Sequence, residues 1–469
     1  YNNTGNTNYN TAAIIITTNS TTLTLGKEDG NVSITNPEII GSRYGINNEG
    51  NGTFNFYDGI IKGKTAINGN LSAKEKGYEV ITTEENEIET AILGNLPVAK
   101  IGEKEYYTFQ EAFDACPSDG TETTVEVLRN CTTDMANIIE ENKNIVLDIQ
   151  SYKIVSGIEN LFTNNGKFKI VDSIGNGRII SAKGTILKNE ETGNFAINNI
   201  TMQMTGSSAI DETIENKGML EVTGGVIISD GLKNKCINNI EQGTVKITGG
   251  TVSAYTYAIY NTSSNKIEIE GGTVQATYYY EGYSAIYNNT ENGVVEIKGG
   301  LVTNQGKAIE NKKGTIKVTG GEIRTTQGDT RYSECGIYNN GKVIIEDGKV
   351  AALYRGSGIQ NEGGTIEITG GTVSAPEWYN SIINRGTLEI SGGTIKSNQK
   401  GIYNNSTLKM TGGTVEVQES KSYNYAALEC GGGTATIEGG TIKYNNIGNT
   451  SYNTAAIRIT TSVQSPMII

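Results

Sequence analysis

Short runs in which apolar and polar residues alternate recur along most of the chain. In Thr244-Val245-Lys246-Ile247 the two apolar residues fall on one side, and Thr251-Val252-Ser253-Ala254 repeats the alternation. A third run, Ala258-Ile259-Tyr260-Asn261, follows after a short loop. Because the side chains of a strand alternate between its two sides, each run predicts a half-buried β-strand.

A glycine pair separates the first two runs and marks a repeat of the whole set. Its first residue stands at 224, 249, 271, 299, 320, 347, 370, 392, 412 and 439, where Asp347-Gly348 is a variant of the pair. Three strands in each 20 to 28 residues predict an all-β fold, a right-handed parallel β-helix in which each strand pairs with its equivalent one coil away. Roughly fourteen coils, about 70 Å in length, are expected after residue 120. The glycines are expected at corners that a Cβ atom would hinder.

An Ile-x-Asn motif repeats once per coil in the third run. Stacking would place its asparagines in one column, where each amide can both donate and accept a hydrogen bond. We therefore predict a structural asparagine ladder, formed by Asn216, Asn239, Asn261, Asn288, Asn311, Asn339, Asn361, Asn384 and Asn404. In the next coil Cys430 takes the asparagine position, so one ladder bond should be lost there.

The coil pattern is interrupted once, and the interruption divides the chain. The predicted segments are β-helix coils over 1–81, a connector over 82–105, a capping-helix region over 106–120 and the main parallel β-helix over 121–469. The short helix, predicted near residues 108–116, has Thr108 as N-cap and Glu111 as its capping-box partner. It would cover the open edge of the first coil of the main β-helix.

The first and last parts of the sequence are nearly the same. Tyr1–Thr18 reads YNNTGNTNYNTAAIIITT and Tyr444–Thr461 reads YNNIGNTSYNTAAIRITT, so 15 of 18 positions agree at an offset of 443. One interpretation is that about 443 residues form one copy of a tandem unit, with 1–81 as the end of the preceding copy; the other is a recent duplication of two coils. Because the chain begins at Tyr1 without a leader pattern, a processed product or a piece of a longer protein is expected.

Composition and charge exclude several classes of function. Thirty-eight basic against 51 acidic residues give a net charge of −13, which argues against a nucleic-acid partner. The absence of histidine removes Ser/His/Asp triads, Cys/His dyads and His-bound zinc. No apolar run is long enough for a membrane span, so membrane insertion is not expected. Most of the five cysteines are interpreted as small buried residues, and a bridge between Cys116 and Cys131 stays open.

Carboxylates alone could support glycoside hydrolysis, so acidic residues that face outward are candidates for catalysis. The outward positions of the first run form a column of mixed charge: Glu221, Lys246, Glu268, Glu296, Lys317, Ile344, Glu367, Glu389, Lys409 and Thr436. Neighbouring carboxylates one strand apart would fit the spacing of a retaining pair. The sequence shows no cleft around them, so a lyase or hydrolase is the least favoured function and no cofactor or metal is expected.

Aromatic residues give the better candidates for binding. The candidate glycan or partner contacts in the loops are Tyr255, Tyr257, Tyr279, Tyr283, Trp378 and Tyr379, and a second column of Tyr260, Tyr287, Tyr338 and Tyr403 would point outward from the third run. Exposed rings can stack on sugar faces or anchor a protein partner. The alternative is that the rings stack on one another and shield the strands.

Part of the chain resembles the β-helix regions of large surface proteins of anaerobic, mostly Gram-positive bacteria. The resemblance is carried by Tyr106-Tyr107-Thr108 through Ala112, by Thr124–Leu128 and Ile145–Ile149, and by the Gly-Gly-Thr-Val coils that follow. This group lies within the pectate-lyase-like superfamily. The resemblance implies an extracellular, cell-surface molecule of the adhesin or stalk type. The chain lacks the LPxTG wall-sorting signal, and the segment 96–100 is not one.

We therefore expect an extracellular structural or adhesive repeat protein that is not an enzyme. It would act as a rigid spacer or filament-forming unit and would associate with itself, through tandem copies or head-to-tail assembly. A surface polysaccharide or host glycan is the alternative partner, bound through the exposed aromatic loops. The copy number, the ligand and the mode of anchoring stay open.

Overall fold

The computed structural model describes residues 12–28, 32, 36–75, 78–94, 96–206, 212–231, 234–278, 282–326, 334–376, 379–418, 425–445, 455–460 and 467–468. The chain divides into two compact units, Tyr1–Ala112 (unit 1) and Phe113–Ile469 (unit 2). About 16 turns of parallel β-solenoid are present in the described residues, whose one α-helix is Phe109–Ala115. The predicted fold class, an all-β parallel β-helix with one short helix, is confirmed.

Unit 2 has three faces, each a parallel stack with one strand per coil. The first face contains Glu122–Val127, Asn144–Asp148, Lys167–Val171, Asn194–Asn198, Met219–Val222, Thr244–Ile247, Ile267–Ile269, Thr365–Ile368, Thr387–Ile390 and Met467–Ile468. Longer strands pass through a corner and contribute to more than one face: Ser284–Ile297, Lys307–Thr325, Lys342–Ala352, Thr407–Val417 and Thr434–Tyr444.

The other two faces repeat the arrangement. The second face contains Cys131–Thr133, Lys153–Ser156, Arg178–Ser181, Thr201–Met204, Val226–Ser229, Thr251–Ala254, Thr273–Ala276, Leu301–Asn304, Thr372–Ala375 and Thr394–Ser397. The third face contains Asn137–Ile139, Asn160–Asn164, Thr185–Asn189, Glu212–Asn216, Lys235–Asn239, Tyr257–Asn261, Cys335–Asn339, Ser357–Asn361, Asn380–Asn384, Lys400–Asn404, Ala426–Cys430 and Ala455–Ile459.

Pairing is in register, so like residues stack in columns. Val245 pairs with Ile267 in the next coil and Lys246 with Glu268, so that apolar residues stack on the inner side and charged residues on the outer side. Val245 is 1 % exposed and Ile267 is fully buried. Alternation in the sequence is thus converted into a continuous apolar interior with a charged exterior.

The glycine pairs lie at the corner between the first and second faces. Gly250 and Gly272, the second members of two pairs, have φ of +76° and +74°, a region that residues with a Cβ atom rarely adopt. A Cβ atom on Gly250 would also approach the carbonyl oxygen of Gly225 in the preceding coil to 2.6 Å. The corner therefore requires glycine for its backbone angle and for the close approach of successive coils.

The short helix begins with the predicted capping box. The Glu111 backbone N–H donates to Thr108 Oγ1 over 3.1 Å, and the Thr108 N–H donates to Glu111 Oε2 over 3.2 Å. These bonds satisfy N–H groups that have no partner inside a helix.

Within unit 2, a buried lysine holds the end of this helix in a way that the sequence analysis did not predict. Lys143 Nζ donates to the carbonyl oxygens of Phe113, Asp114 and Cys116 over 2.9, 2.9 and 2.8 Å. The Phe113 ring lies 5.8 Å from that of Phe168, so the helix end covers the apolar interior. A cation beside the last carbonyls of a helix is favourable because those groups carry partial negative charge.

Unit 1 is a shorter solenoid that changes to antiparallel pairing. Its strands are Ala12–Ile16, Thr22–Leu25, Glu38–Ile40, Tyr44–Asn48, Thr53–Phe56, Ile60–Gly63, Thr65–Asn68, Ala73–Lys74, Glu79–Glu85, Ile88–Gly94, Ala99–Ile101 and Lys104–Tyr106. Glu38–Ile40 pairs parallel with Ile60–Gly63, whereas Ile88–Gly94 pairs antiparallel with both Ile60–Gly63 and Glu79–Glu85. The segment 82–105 thus contains parts of two antiparallel hairpins. The core of unit 1 includes Ile16, Ile46, Phe54, Phe56 and Leu93.

Candidate functional site

A column of asparagines runs along the interior edge of the third face. In each step the side-chain Nδ2 donates to Oδ1 of the asparagine in the following coil, over 2.7 to 2.9 Å. The members are Asn164, Asn189, Asn216, Asn239, Asn261, Asn288, Asn311, Asn339, Asn361, Asn384 and Asn404. The structure therefore joins all nine asparagines named from the sequence in one ladder.

Two members of the ladder, Asn164 and Asn189, do not fit the Ile-x-Asn motif and were not predicted from the sequence. Phe162 and Leu187 occupy the isoleucine position in their coils, so a search for Ile-x-Asn misses them. A motif of any large apolar residue followed two positions later by asparagine would have found both.

The ladder ends at Asn404. Its Nδ2 donates to the backbone oxygens of Ser406 and Thr434 over 3.0 and 3.4 Å, because the next residue in the column is Cys430. The ladder satisfies buried polar groups at the corner of each coil, and its members lie between 0 and 1 % exposed. Its chemistry is structural, since no member presents a polar atom to a ligand.

Six tyrosines form a continuous network of ring contacts on the outside of the third face and the loops before it. This tyrosine cluster comprises Tyr255, Tyr257, Tyr260, Tyr278, Tyr283 and Tyr287. Tyr260 and Tyr287 stack with ring centroids 4.8 Å apart and planes 13° apart. The cluster thus brings together three of the predicted contacts, Tyr255, Tyr257 and Tyr283.

Neighbours in the column occupy the faces of the stacked pair. Lys235 Nζ lies 4.1 Å from the centroid of Tyr260. On the other side Tyr287 is followed in register by Glu310, and Glu310 by Tyr338. Cation–π contact and ring stacking therefore account for the half-burial of these rings, and they favour mutual shielding over face-on sugar stacking at Tyr260 and Tyr287.

Glu310 is a buried carboxylate that interrupts the predicted tyrosine column. It is 2 % exposed, and its Oε1 forms ion pairs with Lys307 Nζ, 3.3 Å away, and Lys312 Nζ, 2.8 Å away. Its other oxygen, Oε2, accepts no hydrogen bond from the described residues. Lys307 Nζ also lies 4.2 Å from the centroid of Tyr338, so this part of the column combines charge pairing with aromatic contact.

The phenol of Tyr257 lies at the centre of the cluster. Burial, followed by the negative charge of Glu310, raises the pKa of Tyr257 above its ordinary value near 10. Its hydroxyl stays protonated at neutral pH and donates to the carbonyl oxygen of Gly282. This bond ties the tyrosine to the loop that precedes the next strand of the third face.

The remaining predicted contacts lie elsewhere. Tyr279 and Trp378 fall outside the described residues. Tyr379 is half-buried further along the stack and has no ring contact with the cluster in the part of the chain that the structure describes.

The adjacent carboxylates Glu268 and Glu296, which have the sequence spacing of a retaining pair, share two lysines. Lys266 Nζ lies 2.5 Å from Glu268 and 2.6 Å from Glu296, and Lys298 Nζ lies 2.8 Å from Glu268. Hydrogen bonds from Lys266 and Lys298 lower the pKa of Glu268 to about 2. A general acid needs a raised pKa, so this arrangement favours a structural charge network. Glu367, which stands in register with Glu389, likewise contacts a lysine, Lys342, over 2.7 Å.

One carboxyl group has the opposite shift. Glu212 is 7 % exposed on the third face. Burial, together with a hydrogen bond and repulsion from Glu215, raises its pKa to about 7. A raised pKa in a carboxyl group is typical of catalytic acids but also of buried structural groups.

Among the described residues no group of three or more Cys, Asp or Glu is placed to hold a metal ion. No helix in the described part of the chain has the length and apolar character needed to cross a membrane. All five cysteines are buried and none forms a disulfide bond, so Cys116 and Cys131 are not bridged.

Comparison with family models, curated proteins and solved structures returned no match to this chain. The resemblance to bacterial surface β-helix proteins therefore stays a prediction from the sequence.

Proposed function

We propose that this protein is an extracellular structural repeat protein of a bacterial surface, a β-helical spacer or filament-forming unit that acts through its shape and its exterior. The observation that carries the proposal is the asparagine ladder, which runs without interruption from Asn164 to Asn404. A polar column satisfied in every coil specifies the stacking of those coils and supports a persistent rod-like stack.

The exterior supports the same proposal. On the first face, the adjacent carboxylates Glu268 and Glu296 share lysines, and Lys317 lies 3.1 Å from Glu346 in the next coil. Such pairs at the surface contribute only a few tenths of a kcal/mol each, so their main effect is to keep this face of the stack charged and solvated. An acidic surface with a net charge of −13 also opposes non-specific association.

Immunogold labelling of the source cells, viewed by negative-stain electron microscopy, tests this proposal. We expect label on rods or filaments outside intact cells. Permeabilised cells serve as the control for antibody access. Label that appears only after permeabilisation would show that the extracellular role is wrong, whatever the fold.

A glycan-binding adhesin is the second candidate, supported by the tyrosine cluster. Tyr255, Tyr278 and Tyr283 belong to the loops before the third face and lie outside the stacked column of Tyr260 and Tyr287. Their rings and hydroxyls combine apolar area with hydrogen-bonding groups, the combination used for carbohydrate contact.

Affinity electrophoresis through gels that contain acidic or neutral polysaccharides tests the second candidate. Tyr255→Ala with Tyr283→Ala should remove any retardation of the protein while leaving its melting temperature within a few degrees. Tyr354→Ala is the matched control, because Tyr354 is 60 % exposed and lies outside the cluster. Equal mobility of the native protein in all gels would count against glycan binding.

A further inference from the structure

The repeated sequence segment occurs in the structure as the same strand in two different environments. Ala12–Ile16 in unit 1 and Ala455–Ile459 in unit 2 differ only at one position, Ile15 against Arg458. Ile16 is 2 % exposed, whereas Ile459, the equivalent residue, is 58 % exposed. The same side chain is thus buried in one copy of the segment and open to solvent in the other.

The difference comes from the coil that follows. In unit 1, Ala12–Ile16 pairs parallel with Tyr44–Asn48, in the register Ala12 with Tyr44, Ile14 with Ile46 and Ile16 with Asn48. Gly52, just beyond that strand, lies so close that a Cβ atom on it would come within 2.4 Å of Ile16 Cγ2. The coil that begins at Tyr44 therefore covers Ile16.

In unit 2, as far as the structure describes it, the segment is paired only along the edge that faces the preceding coil. Ala455–Ile459 pairs with Ala426–Cys430 of the preceding coil, in the register Leu428 with Ile457 and Cys430 with Ile459. Among the described residues no strand of the third face follows it. Its far edge resembles the segment that Tyr44–Asn48 pairs with in unit 1, but no described residue of the chain pairs with it there.

We infer that this edge receives Tyr44–Asn48 from a second copy of the chain, so that residues 455–460 of one copy replace residues 12–17 of the next. This inference rests on the proposed structural role and specifies its partner. Unit 1 cannot distinguish its own first strand from a neighbour's last strand by the residues that face its core, since Ile14 and Ile16 are the same in both. Strand exchange of this kind joins identical molecules head to tail in an open series.

The single difference suits the exchanged position. Arg458 stands in register with Glu429 of its own unit, a pairing of opposite charges, whereas Ile15 is 41 % exposed in unit 1. After exchange Arg458 would lie between Glu429 and Asn47, and the Asn47 side chain already contacts Glu49, 2.7 Å away. The arginine would therefore enter a column that offers acceptors on both sides.

Disulfide trapping of the exchanged register tests the inference. In a chain with Asn47→Cys and Arg458→Cys, the two cysteines of different copies would be one strand spacing apart, within the range for a disulfide. Mild oxidation should produce a ladder of covalent multimers on a non-reducing gel, which reduction returns to the single chain. Tyr44→Cys with Ala455→Cys probes the other end of the same register, in case substitution of the buried Asn47 prevents folding.

The matched control locks unit 1 in its own conformation. Ile15→Cys with Asn47→Cys should form a bond within one chain and hold the mass in light scattering at 50.2 kDa, while the native protein reaches the mass of at least two copies as concentration rises. The inference would be overturned if both trapping variants, Asn47→Cys with Arg458→Cys and Tyr44→Cys with Ala455→Cys, folded and stayed monomeric. A disulfide between positions 47 and 458 of the same chain would also overturn it. Surface labelling of cells by such a monomer would leave the proposed function intact.

Discussion

Removal of one amide from the middle of the asparagine ladder should destabilise unit 2 measurably. Asn339 Nδ2 donates to Asn361 Oδ1 at 2.9 Å and to the backbone oxygens of Gly341 and Thr365 at 3.1 and 3.3 Å. Asn339→Ala leaves Asn361 Oδ1 without its donor in a fully buried column and opens a small cavity. One unsatisfied buried group costs about 1–3 kcal/mol, so with the cavity we expect a loss of about 2–4 kcal/mol.

The assay for this prediction is hydrogen exchange followed by mass spectrometry, with urea unfolding as the second measurement. Because coils interact mainly with their neighbours, loss of protection should be largest in the coils next to residue 339 and should decline with distance. Asn340→Ala is the matched control, since Asn340 is adjacent and exposed. If the two variants unfold within about 0.5 kcal/mol of each other, the ladder does not stabilise the stack and the reasoning is refuted.

Two further predictions concern buried ionisable groups. Because the folded pKa of Glu212, about 7, lies above the ordinary value of 4.5, the native state keeps a proton that the unfolded chain releases, and stability should fall as pH rises through that window. Glu212→Gln should remove about 1–3 kcal/mol of that fall between pH 5 and 8, measured by urea unfolding; parallel pH profiles for both proteins would contradict it. Lys143→Met leaves three carbonyls of the helix end without their donor, and at about 1.5–3 kcal/mol per bond to a charged group the helix should detach locally. Cys116, now 3 % exposed, should then react faster with a thiol reagent, and an unchanged rate would show that Lys143 does not hold the helix.

The repetitive part of the fold could be predicted from the sequence because each coil repeats the same pattern of apolar residues, polar residues and glycines. Val245 and Val252 mark the inward positions of two successive strands, and the glycine pair between them marks the corner. Parallel stacking then places equivalent residues together, so the columns from Glu221 to Thr436 and from Asn216 to Asn404 follow from spacing alone. The capping box at Thr108 could also be predicted, because its two residues are only three positions apart in the sequence.

Features that depend on non-repeating contacts could not be predicted. Lys143 is one lysine in a polar stretch, and its three carbonyl partners lie about 30 residues earlier in sequence. The tyrosine loops differ in length from coil to coil, so nothing in the spacing indicates that Tyr257 would contact Tyr260, Tyr283 and Tyr287 together. Burial of Glu310 depends on the rings and lysines around it, which the alternation pattern does not encode.

The end of the ladder at Asn404 also determines how unit 2 would respond to tension. A load along the stack separates neighbouring coils, and each coil that detaches releases 20 to 28 residues of chain, about 70–95 Å when extended, from a step of about 4.8 Å. The coils beyond Asn404 lack the side-chain bond that joins every earlier pair from Asn164 onward. Under force these coils should detach first and lengthen the molecule in discrete steps, while the laddered coils stay closed and keep the rest of the stack rigid.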